Sequence, residues 1–446
     1  MLERLRIQNF KSWQDTGDMA FGSLTGFFGT NSSGKSSILQ FLLMLKQTVE
    51  SSDRSQILNL GDEHTYVDLG TLDDIINFHL IKSSLLFSLT WKNPNLIYHP
   101  EMFPSRNFWD EFSSTFSADI YKDYDYISLS YFKYQENNQE LVVNSISSAD
   151  YEIKTSIINN KKESRLIVGT PPLKFYDLPQ SLSVILSDYR EERVWIFQLE
   201  QLFKRSYYLG PLREFPRRTY VWGGGEISDV GKRGERAIAT LLSSRQKGTT
   251  IDMGEGQPKR TVEEHVAHWL KELGLIYSFK VQPIAPGRKE YEVRIQRTAE
   301  SASVFLTDVG FGVSQILPVL VLLFYVPEGS TVILEQPEIH LHPAVQAGLA
   351  DVFIDAIKRR KLQIILESHS EHLLQRLQRR MAEEIIEPDA VKLYFTSIEE
   401  GKSKLTPLQL DEYGNIHNWP AGFFGDAFAE SAAKMKAEIK RKMQNQ

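Results

Sequence analysis

The segment LTGFFGTNSSGKSSILQFLLMLKQTV, residues 24–49, passes from an apolar run through a glycine- and serine-rich loop into a second apolar run. Residues 24–28 predict a buried strand, and the apolar positions after residue 37 recur with the period of a helix. Between them, residues 29–36 read GTNSSGKS and fit the pattern GxxxxGK[ST] in the strand–loop–helix setting that this pattern requires. The segment therefore predicts an α/β fold with a phosphate-binding loop between a central strand and a helix.

The most informative residues of this loop are Lys35 and Ser36. A lysine here neutralises phosphate charge, and a serine hydroxyl at this position of the pattern can ligate Mg²⁺. Backbone N–H groups of small residues can surround phosphate oxygens, and the start of the following helix adds its positive dipole end. We therefore predict that the loop binds a nucleoside triphosphate, with ATP and Mg²⁺ as the cofactors.

A second informative stretch, VILEQPEIHLHP at residues 332–343, brings a carboxylate to the end of an apolar run. The run predicts a buried strand, and ligands gather at the carboxyl ends of strands in open α/β sheets. Glu335 is therefore the expected support for the Mg²⁺ shell. Gln336 follows it, at a position where a hydrolytic base would be expected.

Two further segments carry residues that suit a phosphate site. LQIILES, residues 362–368, predicts another buried strand, and His369 after it is expected to donate a hydrogen bond to the γ-phosphate or to position water. In LTDVGFGVSQILPVL, residues 306–320, Gly312, Ser314 and Gln315 lie at the start of an apolar helix. A second helix start would be redundant within one subunit, so we expect it to face the γ-phosphate bound to another copy.

Together these segments resemble the ABC-type ATPase heads of the RecF, SMC and OLD group. GTNSSGKSS resembles their Walker A motif, VILEQPEIHLHP their Walker B motif and D-loop, ESHS their switch-histidine segment, and DVGFGVSQ a divergent signature motif. The opening LERLRIQNFKSW resembles their first strand. YLGPLREFPRR, residues 208–218, and LDEYGNIHNWPAGFFGD, residues 410–426, resemble a poorly characterised bacterial branch. For that branch the resemblance implies gene-paired systems, often in defence against phage.

The resemblance implies a role for each matching residue. Lys11 and Ser12 would approach the nucleotide from the first strand, Glu335 would support Mg²⁺, and His369 would read the γ-phosphate. The residues expected around the phosphates are Asn31, Ser32, Ser33, Gly34, Lys35, Ser36 and Ser37. Those expected to act across a dimer are Gly312, Ser314 and Gln315.

The sequence departs from the family pattern in two places. The usual signature serine has no clear counterpart, because aligning the end of the motif puts Gly312 there and leaves Ser314 displaced. Gln336 stands at the position after the Walker B acid, which is commonly a catalytic glutamate. The Q-loop glutamine is either Gln47 or Gln56, and the sequence does not separate them.

Gln336 predicts slow hydrolysis. An amide can orient the attacking water but cannot accept its proton, and general-base help is typically worth roughly 10²- to 10⁴-fold. Glu338 is an alternative base, but its backbone would have to bend back towards the site, so a D-loop contact is the preferred interpretation. We therefore predict Glu335, Gln336 and His369 as the catalytic residues of a slow ATPase whose ATP-bound dimer is the signalling state.

The order of these segments predicts an α/β fold: an ABC-type P-loop ATPase head with a mixed sheet and flanking helices, plus an inserted β-rich and helical accessory lobe. The predicted units are 1–90 (first part of the ATPase lobe), 91–300 (accessory region), 301–384 (second part of the ATPase lobe) and 385–446 (C-terminal hairpin and helix cap). Residues 385–446 are too few for the nuclease domain of OLD proteins. Residues 90–300 lack the sustained heptads of an SMC coiled coil.

Composition constrains the partners. The 446 residues carry 51 Lys+Arg against 57 Asp+Glu, a net charge of −6 that indicates neither nucleic acid nor membrane. The chain has no cysteine and a charged rather than apolar start, so a cytoplasmic protein is expected. The resemblance to ABC-type heads implies a homodimer or higher homo-oligomer through ATP-sandwich interfaces, and a separately encoded nuclease or toxin that the chain regulates or scaffolds.

The alternative function is a RecF-like repair ATPase that binds DNA directly. The local basic residues for it are Arg213, Arg217 and Arg218, which lie near aromatic residues. Because the net charge is negative, a solvated charged loop is the preferred interpretation of this cluster.

Overall fold

The computed structural model describes residues 1–77, 84–92, 113–123, 126–136, 139–147, 150–155, 163–167, 173–178 and 192–420. In chain order the strands are β1 (Leu2–Phe10), β2 (Trp13–Asp15), β3 (Met19–Ala20), β4 (Leu24–Gly29), β5 (Leu85–Lys92), β6 (Ser113–Asp123), β7 (Tyr126–Glu136), β8 (Gln139–Ser145), β9 (Tyr151–Thr155), β10 (Glu163–Ile167), β11 (Ser206–Leu209), β12 (Tyr220–Val221), β13 (Thr250–Ile251), β14 (Arg260–Thr261), β15 (Ser278–Pro283), β16 (Glu290–Gln296), β17 (Val304–Phe305), β18 (Thr331–Glu335), β19 (Gln363–Glu367), β20 (Val391–Glu399) and β21 (Lys402–Pro407).

The α-helices over the same residues are α1 (Lys35–Glu50), α2 (Leu72–Ile75), α3 (Glu192–Lys204), α4 (Ala237–Lys247), α5 (Val262–Glu272), α6 (Phe311–Tyr325), α7 (Pro343–Arg360) and α8 (Glu371–Ala382). Local sequence explains several of their starts. Thr261 and Glu264 form a reciprocal capping box at α5, Pro343 occupies the first turn of α7, and the Ser370 hydroxyl accepts a hydrogen bond from the backbone N–H of Leu373 at α8.

A six-stranded sheet organises the site, in the order β11-β18-β19-β4-β20-β21. The first five strands are parallel, and β21 pairs antiparallel with β20. This mixed sheet with flanking helices confirms the predicted α/β fold class. Because β18, β19 and β4 run in the same direction, their carboxyl ends meet at one edge, which is where ligands bind in open α/β sheets.

The second large sheet is antiparallel and has nine strands among the described residues. Its order is β10-β9-β8-β7-β6-β5-β1-β2, and β3 also pairs with β1. Strands β7 and β8 pair antiparallel, with Tyr131 opposite Asn144 and Glu136 opposite Gln139. The sheet therefore includes strands from the start of the chain as well as from the predicted accessory region.

Helix α1 lies between the two sheets, and the central sheet is buried on both faces. Ile333 and Ile365 belong to the apolar cluster that contains α1 and the antiparallel sheet. Their neighbours Val332 and Ile364 belong to the cluster on the other face, with α6, α7 and α8. Alternate side chains of each strand thus enter opposite cores, which explains why these strands are apolar runs rather than alternating ones.

The predicted division into units stays a prediction, but two observations bear on its boundaries. Residues 206–209, inside the range assigned to the accessory region, form β11 and pair in parallel with β18 of the central sheet. The predicted hairpin near 391–407 is confirmed as β20 and β21. The predicted final helix, residues 427–446, lies outside the described residues.

Candidate functional site

Two glycines shape the loop between β4 and α1. Gly29 has a φ of +141°, and a Cβ atom there would lie 2.2 Å from the Thr396 carbonyl oxygen on β20. Gly34 has a φ of +95°, and its Cβ would lie 2.6 Å from the Ser403 hydroxyl and 2.8 Å from the Trp13 ring nitrogen. Both positions combine a left-handed backbone with close packing, so only glycine fits them without strain. The loop is therefore held in one conformation by β20, β21 and β2.

The start of α1 presents free backbone donors to this loop. Its N-cap is Gly34, which provides no side-chain cap. The first N–H groups of the helix therefore have no capping partner from that residue and point towards the loop, together with the positive end of the helix dipole. Lys35 lies inside the loop, where its ammonium donates to the carbonyl oxygens of Thr30 at 2.7 Å and Gly29 at 3.2 Å. Such a geometry suits the binding of phosphate groups.

A cleft of about 290 Å³ opens over the loop. Its floor is the phosphate-binding loop, and its opposite wall comes from the ends of β18 and β19. The residues that line it are Ser12, Asn31, Ser32, Ser33, Gly34, Lys35, Ser36, Ser37, Gln336, Glu367 and His369. All the predicted loop residues, the amide and the histidine therefore meet in one cleft, as does Ser12 from the turn after β1.

Two carboxylates stand side by side at the ends of neighbouring strands. Glu335 on β18 and Glu367 on β19 are register partners in the parallel pairing. The Ser36 hydroxyl donates to Glu367 Oε2 at 2.7 Å, whereas Glu335 Oε1 accepts a hydrogen bond from the Tyr208 hydroxyl at 3.1 Å. Burial, reinforced by the nearby Glu367 carboxylate, raises the pKa of Glu335 to about 7. Glu367 is thus the carboxylate nearest to the phosphate-binding loop, and sequence reasoning missed it.

A signal for Glu367 was present in the sequence. It is the last residue of the apolar run LQIILE, in the same position relative to its strand as Glu335 is in TVILE. Sequence reasoning took only the histidine two residues later as functional. The order of the strands determines which carboxylate lies next to the loop, because β19 lies between β18 and β4 and so brings Glu367 there.

Gln336 turns from the end of β18 into the cleft. Its φ is +44°, a left-handed conformation that non-glycine residues rarely adopt and that often marks functional sites. Its backbone N–H donates to the Glu367 carbonyl at 2.9 Å, and its side-chain amide lies 3.5 Å from Glu367 Oε1. The amide therefore faces the cleft beside a carboxylate.

The neighbouring loop holds His369. Glu338 is buried, with 6% of its surface exposed, and its Oε1 accepts the backbone N–H of His369 at 2.7 Å. Burial lowers the pKa of His369, and the positive charge of Lys35 lowers it further, while Glu367 opposes the shift. A neutral imidazole can donate or accept a hydrogen bond in this cleft. Glu338 contacts the backbone of the histidine, which agrees with a structural D-loop contact.

Several predicted residues lie away from the lining of the cleft. Lys11 donates from its ammonium to the Gln40 side chain at 2.6 Å. Ser314 is buried and donates to the Phe311 carbonyl at 2.8 Å, and Gln315 is buried as well. Gly312 faces the loop after β18, where a Cβ would meet Leu341 at 3.7 Å. The start of α6 is therefore not part of the cleft in the same chain.

The two candidate Q-loop residues also lie outside the lining. Gln47 is buried in α1, where its amide donates to the carbonyl oxygens of Asn59 and Val67. Gln56 is exposed in the loop after α1. Gln47 therefore has a clear structural role in holding the segment 59–67.

The basic cluster after β11 is largely neutralised within the chain. Arg217 pairs with Glu214 at 3.1 Å and Arg218 with Asp308 at 3.0 Å. Arg213 is buried, with 6% of its surface exposed. Among the described residues the cluster offers no strip of unpaired, exposed arginines. Arg217 and Arg218 fit the solvated-loop interpretation, whereas Arg213 does not, because it is buried.

The oxygen donors of the cleft suit a hard divalent ion. Mg²⁺ prefers carboxylate, hydroxyl, phosphate and water oxygens and usually keeps several waters. Ser36 and Glu367 meet in one hydrogen bond and Glu335 lies beside them, so these three residues could hold part of an Mg²⁺ shell, with phosphates supplying the rest. Among the described residues, no group of three or more His, Cys, Asp or Glu side chains forms a metal site by itself.

Family models match both halves of this site. The AAA ATPase domain matches residues 1–190, which contain the phosphate-binding loop. A second AAA-domain family, whose description names the AbiEii toxin and a type IV TA system, matches residues 280–375, which contain Glu335, Gln336 and His369. Each match covers less than half of the chain, and together they support an ATPase. A third family, DUF3696, described as a protein of unknown function, matches residues 386–433 of this ATPase.

Solved structures of SMC heads are similar to the ATPase over most of its length. One is an SMC head bound to the C-winged helix domain of ScpA, with 12% identity, a TM-score of 0.45, and coverage of 92% of this chain and 98% of that one. Another is the SMC head domain from Thermotoga maritima, with 11% identity, a TM-score of 0.40, and coverage of 92% of this chain and 99% of that one. A third is an SMC head domain with an extended coiled coil, bound to the C-terminal domain of ScpA derived from Pyrococcus furiosus. It has 11% identity and a TM-score of 0.41, and the match covers 98% of this chain and 99% of that one.

No curated protein matches the ATPase. Within the described part of the chain, no helix combines the length and the apolar character that crossing a membrane requires.

Proposed function

We propose that this ATPase binds Mg²⁺ and ATP, hydrolyses ATP slowly, dimerises on ATP and regulates a separately encoded nuclease or toxin in antiviral defence. The observation that carries the proposal is the position of Gln336, whose amide faces the cleft 3.5 Å from Glu367. The protein would then act as a switch that reports on bound nucleotide rather than as a fast motor.

Slow hydrolysis follows from the chemistry of the amide. In hydrolysis, water attacks the γ-phosphorus, the bond to the β–γ bridging oxygen breaks, and a proton leaves the water. Gln336 can orient this water but cannot take the proton. Glu338 does not line the cleft, and its Oε1 accepts the His369 backbone N–H, so it is not placed to act as a base there.

The proposed Mg²⁺ would be held by Ser36 with Glu367, and Glu335 would support the shell from the next strand. Bound Mg²⁺ would neutralise charge that develops on the transferred phosphoryl group. The remaining contacts come from the chain itself. The free N–H groups at the start of α1 and the Lys35 ammonium bind phosphate, and His369 lies across the cleft, where it can distinguish ATP from ADP.

The proposed dimer rests on the start of α6. Gly310 and Phe311 are exposed, and the helix start lies outside the cleft of its own chain. Helix starts favour anions, so the γ-phosphate held by a second copy is the expected partner.

The proposed effector rests on the description of a matching family. The AAA family that matches residues 280–375 carries a toxin and a TA system in its description, which supports a place for the chain in a two-component system of this kind. Co-purification of the product of the adjacent gene with the ATPase, without affinity for DNA, is the expected result. Salt-dependent DNA binding stimulated by ATP would instead favour the repair alternative.

The central test is the substitution Gln336→Glu. We expect the variant to raise kcat for ATP hydrolysis by roughly 10²-fold or more, because general-base help is worth about 10²- to 10⁴-fold. The new carboxylate would lie beside Glu367, so the rise should be larger at alkaline pH, where both groups are ionised. The measurement is phosphate release from pH 6 to pH 9. Fast turnover by the wild type with no rise in the variant would contradict the proposal.

A further inference from the structure

Arg213 is a buried cation without a hydrogen-bond partner among the described residues. It follows β11, whose end lies beside the end of β18. Only 6% of its surface is exposed, and in the described part of the chain none of its Nε, Nη1 and Nη2 atoms has a partner. A buried charge without partners is costly, so such an arrangement needs a compensating interaction nearby.

Three groups supply negative or polar character around this guanidinium. They are the Tyr208 hydroxyl, Glu335 and Glu338, whose electrostatic effects all favour the charged form of the arginine. Burial outweighs them and lowers the pKa of Arg213 to about 10, so the guanidinium is still protonated at neutral pH. The residue therefore places a full positive charge behind the carboxylates of the site.

Glu338 connects this charge to the cleft. Its Oε1 holds the backbone N–H of His369 at 2.7 Å, whereas its Oε2 is buried and has no partner within the described residues. Burial raises the pKa of Glu338, which favours the neutral acid. The electrostatic attraction between Arg213 and Glu338 favours the charged form of both groups, and a charged acceptor forms the stronger hydrogen bond to an N–H group.

We propose that Arg213 is a positioning residue that acts through Glu338 to fix His369 against the γ-phosphate. Arg213 does not line the cleft and so does not contact the nucleotide. Its charge holds the Glu338 carboxylate, Glu338 holds the His369 backbone, and the imidazole is thereby oriented towards the phosphate-binding loop. The proposal rests on the proposed function, because it assigns a control of nucleotide discrimination to the same site.

The test is a double-mutant cycle with Arg213→Met and Glu338→Gln. The glutamine keeps an oxygen that can accept the His369 N–H but removes the charge, and the methionine keeps an unbranched side chain that can pack in place of the arginine stem without its charge. We expect each single variant to reduce the ratio of ATP affinity to ADP affinity by roughly tenfold, the scale of one charge-assisted hydrogen bond. The double variant should lose no more than either single variant, because the two residues act in series.

Two further variants control for a purely structural effect. Arg213→Lys keeps the charge and should retain the wild-type ratio within about threefold, whereas Arg217→Met removes an exposed arginine of the same loop and should leave the ratio unchanged. Titration with a fluorescent ATP analogue, in competition with ATP and with ADP, gives the ratios without a need for turnover. Thermal unfolding of each variant identifies any loss of folding.

The outcomes separate this inference from the proposed function. A wild type that binds neither ATP nor ADP would overturn the proposed function, whatever the variants do. A wild type that prefers ATP, combined with additive effects in the double variant or with an unchanged ratio in Arg213→Met, would overturn the role of Arg213 alone. If Arg217→Met also lost the preference for ATP over ADP, the effect would belong to the loop in general, and this result would also count against the role of Arg213.

Discussion

At the scale of single residues, the site depends on which carboxylate lies nearest to the Ser36 hydroxyl. Glu367 accepts this hydroxyl at 2.7 Å, and Glu335, one strand further away, accepts the Tyr208 hydroxyl instead. Burial and the adjacent Glu367 raise the pKa of Glu335 to about 7. Two buried carboxylates beside each other repel, so a divalent cation between them and the phosphates would stabilise both charges.

This geometry predicts unequal effects for two matched substitutions. Glu367→Gln should weaken Mg²⁺-dependent ATP binding by roughly tenfold or more, because a charge-assisted contact to the metal shell is worth about 1.5–3 kcal/mol. Glu335→Gln should weaken it less, since this side chain lies further from the loop. Calorimetric titration of ATP with and without Mg²⁺ measures both effects. A larger loss in Glu335→Gln would show that the strand order misidentifies the metal-side carboxylate.

At the scale of structural elements, the phosphate-binding loop is a packed structure rather than a free loop. Gly29 presses against β20, and Gly34 against Trp13 and Ser403. The Trp13 ring nitrogen donates to the Gly34 carbonyl at 3.1 Å, and the Ser403 hydroxyl donates to Ser12 at 2.6 Å. The turn after β1 and the hairpin of β20 and β21 thus determine the shape of a loop that is distant from both in the sequence.

The packing predicts that Gly34→Ala abolishes nucleotide binding and lowers the free energy of unfolding. The strained φ costs about 1–3 kcal/mol, and the contact of the new Cβ with Ser403 and Trp13 adds to it. The matched control is Gly254→Ala, because Gly254 has a φ of +96° and a Cβ there would meet nothing within 4 Å. Chemical denaturation should show a larger loss for Gly34→Ala. Equal losses would mean that only backbone strain matters.

At the scale of the whole molecule, the cleft and the start of α6 lie in separate parts of one chain, and the proposed dimer brings them together. Gly312 lies in the first turn of the helix. A Cβ atom there would make only ordinary van der Waals contacts, at 3.7 Å and beyond. A side chain there would therefore change the surface of the helix start with little effect on the fold.

We predict that Gly312→Glu leaves the monomer folded but prevents dimerisation on ATP. A carboxylate at the helix start would repel the γ-phosphate of a second copy by like-charge repulsion. Mass photometry with ATP and Mg²⁺ should show dimers for the wild type and monomers for the variant, and Gly312→Ala serves as the neutral control. Dimers of Gly312→Glu at the wild-type affinity would exclude this helix start from the interface.

The sequence by itself determined the phosphate-binding loop, the apolar strands that end at Glu335 and near His369, the buried helix α6 and the hairpin near the end, because each has a local pattern. Its α/β class followed from their order. The sequence alone did not determine the contacts between distant segments. It assigned residues 206–209 to an accessory region, since a strand of four residues carries no mark of the sheet it joins.

Only the tertiary structure decided that Glu367 meets Ser36, that Glu338 holds the backbone of His369 and that Arg213 is buried behind them. The reason is physical: a hydrogen bond or an ion pair depends on which strands are neighbours and in which register. The order β11-β18-β19-β4 results from packing over the whole chain. Local periodicity identifies strands and their ends, but the fold alone determines which ends share a cleft.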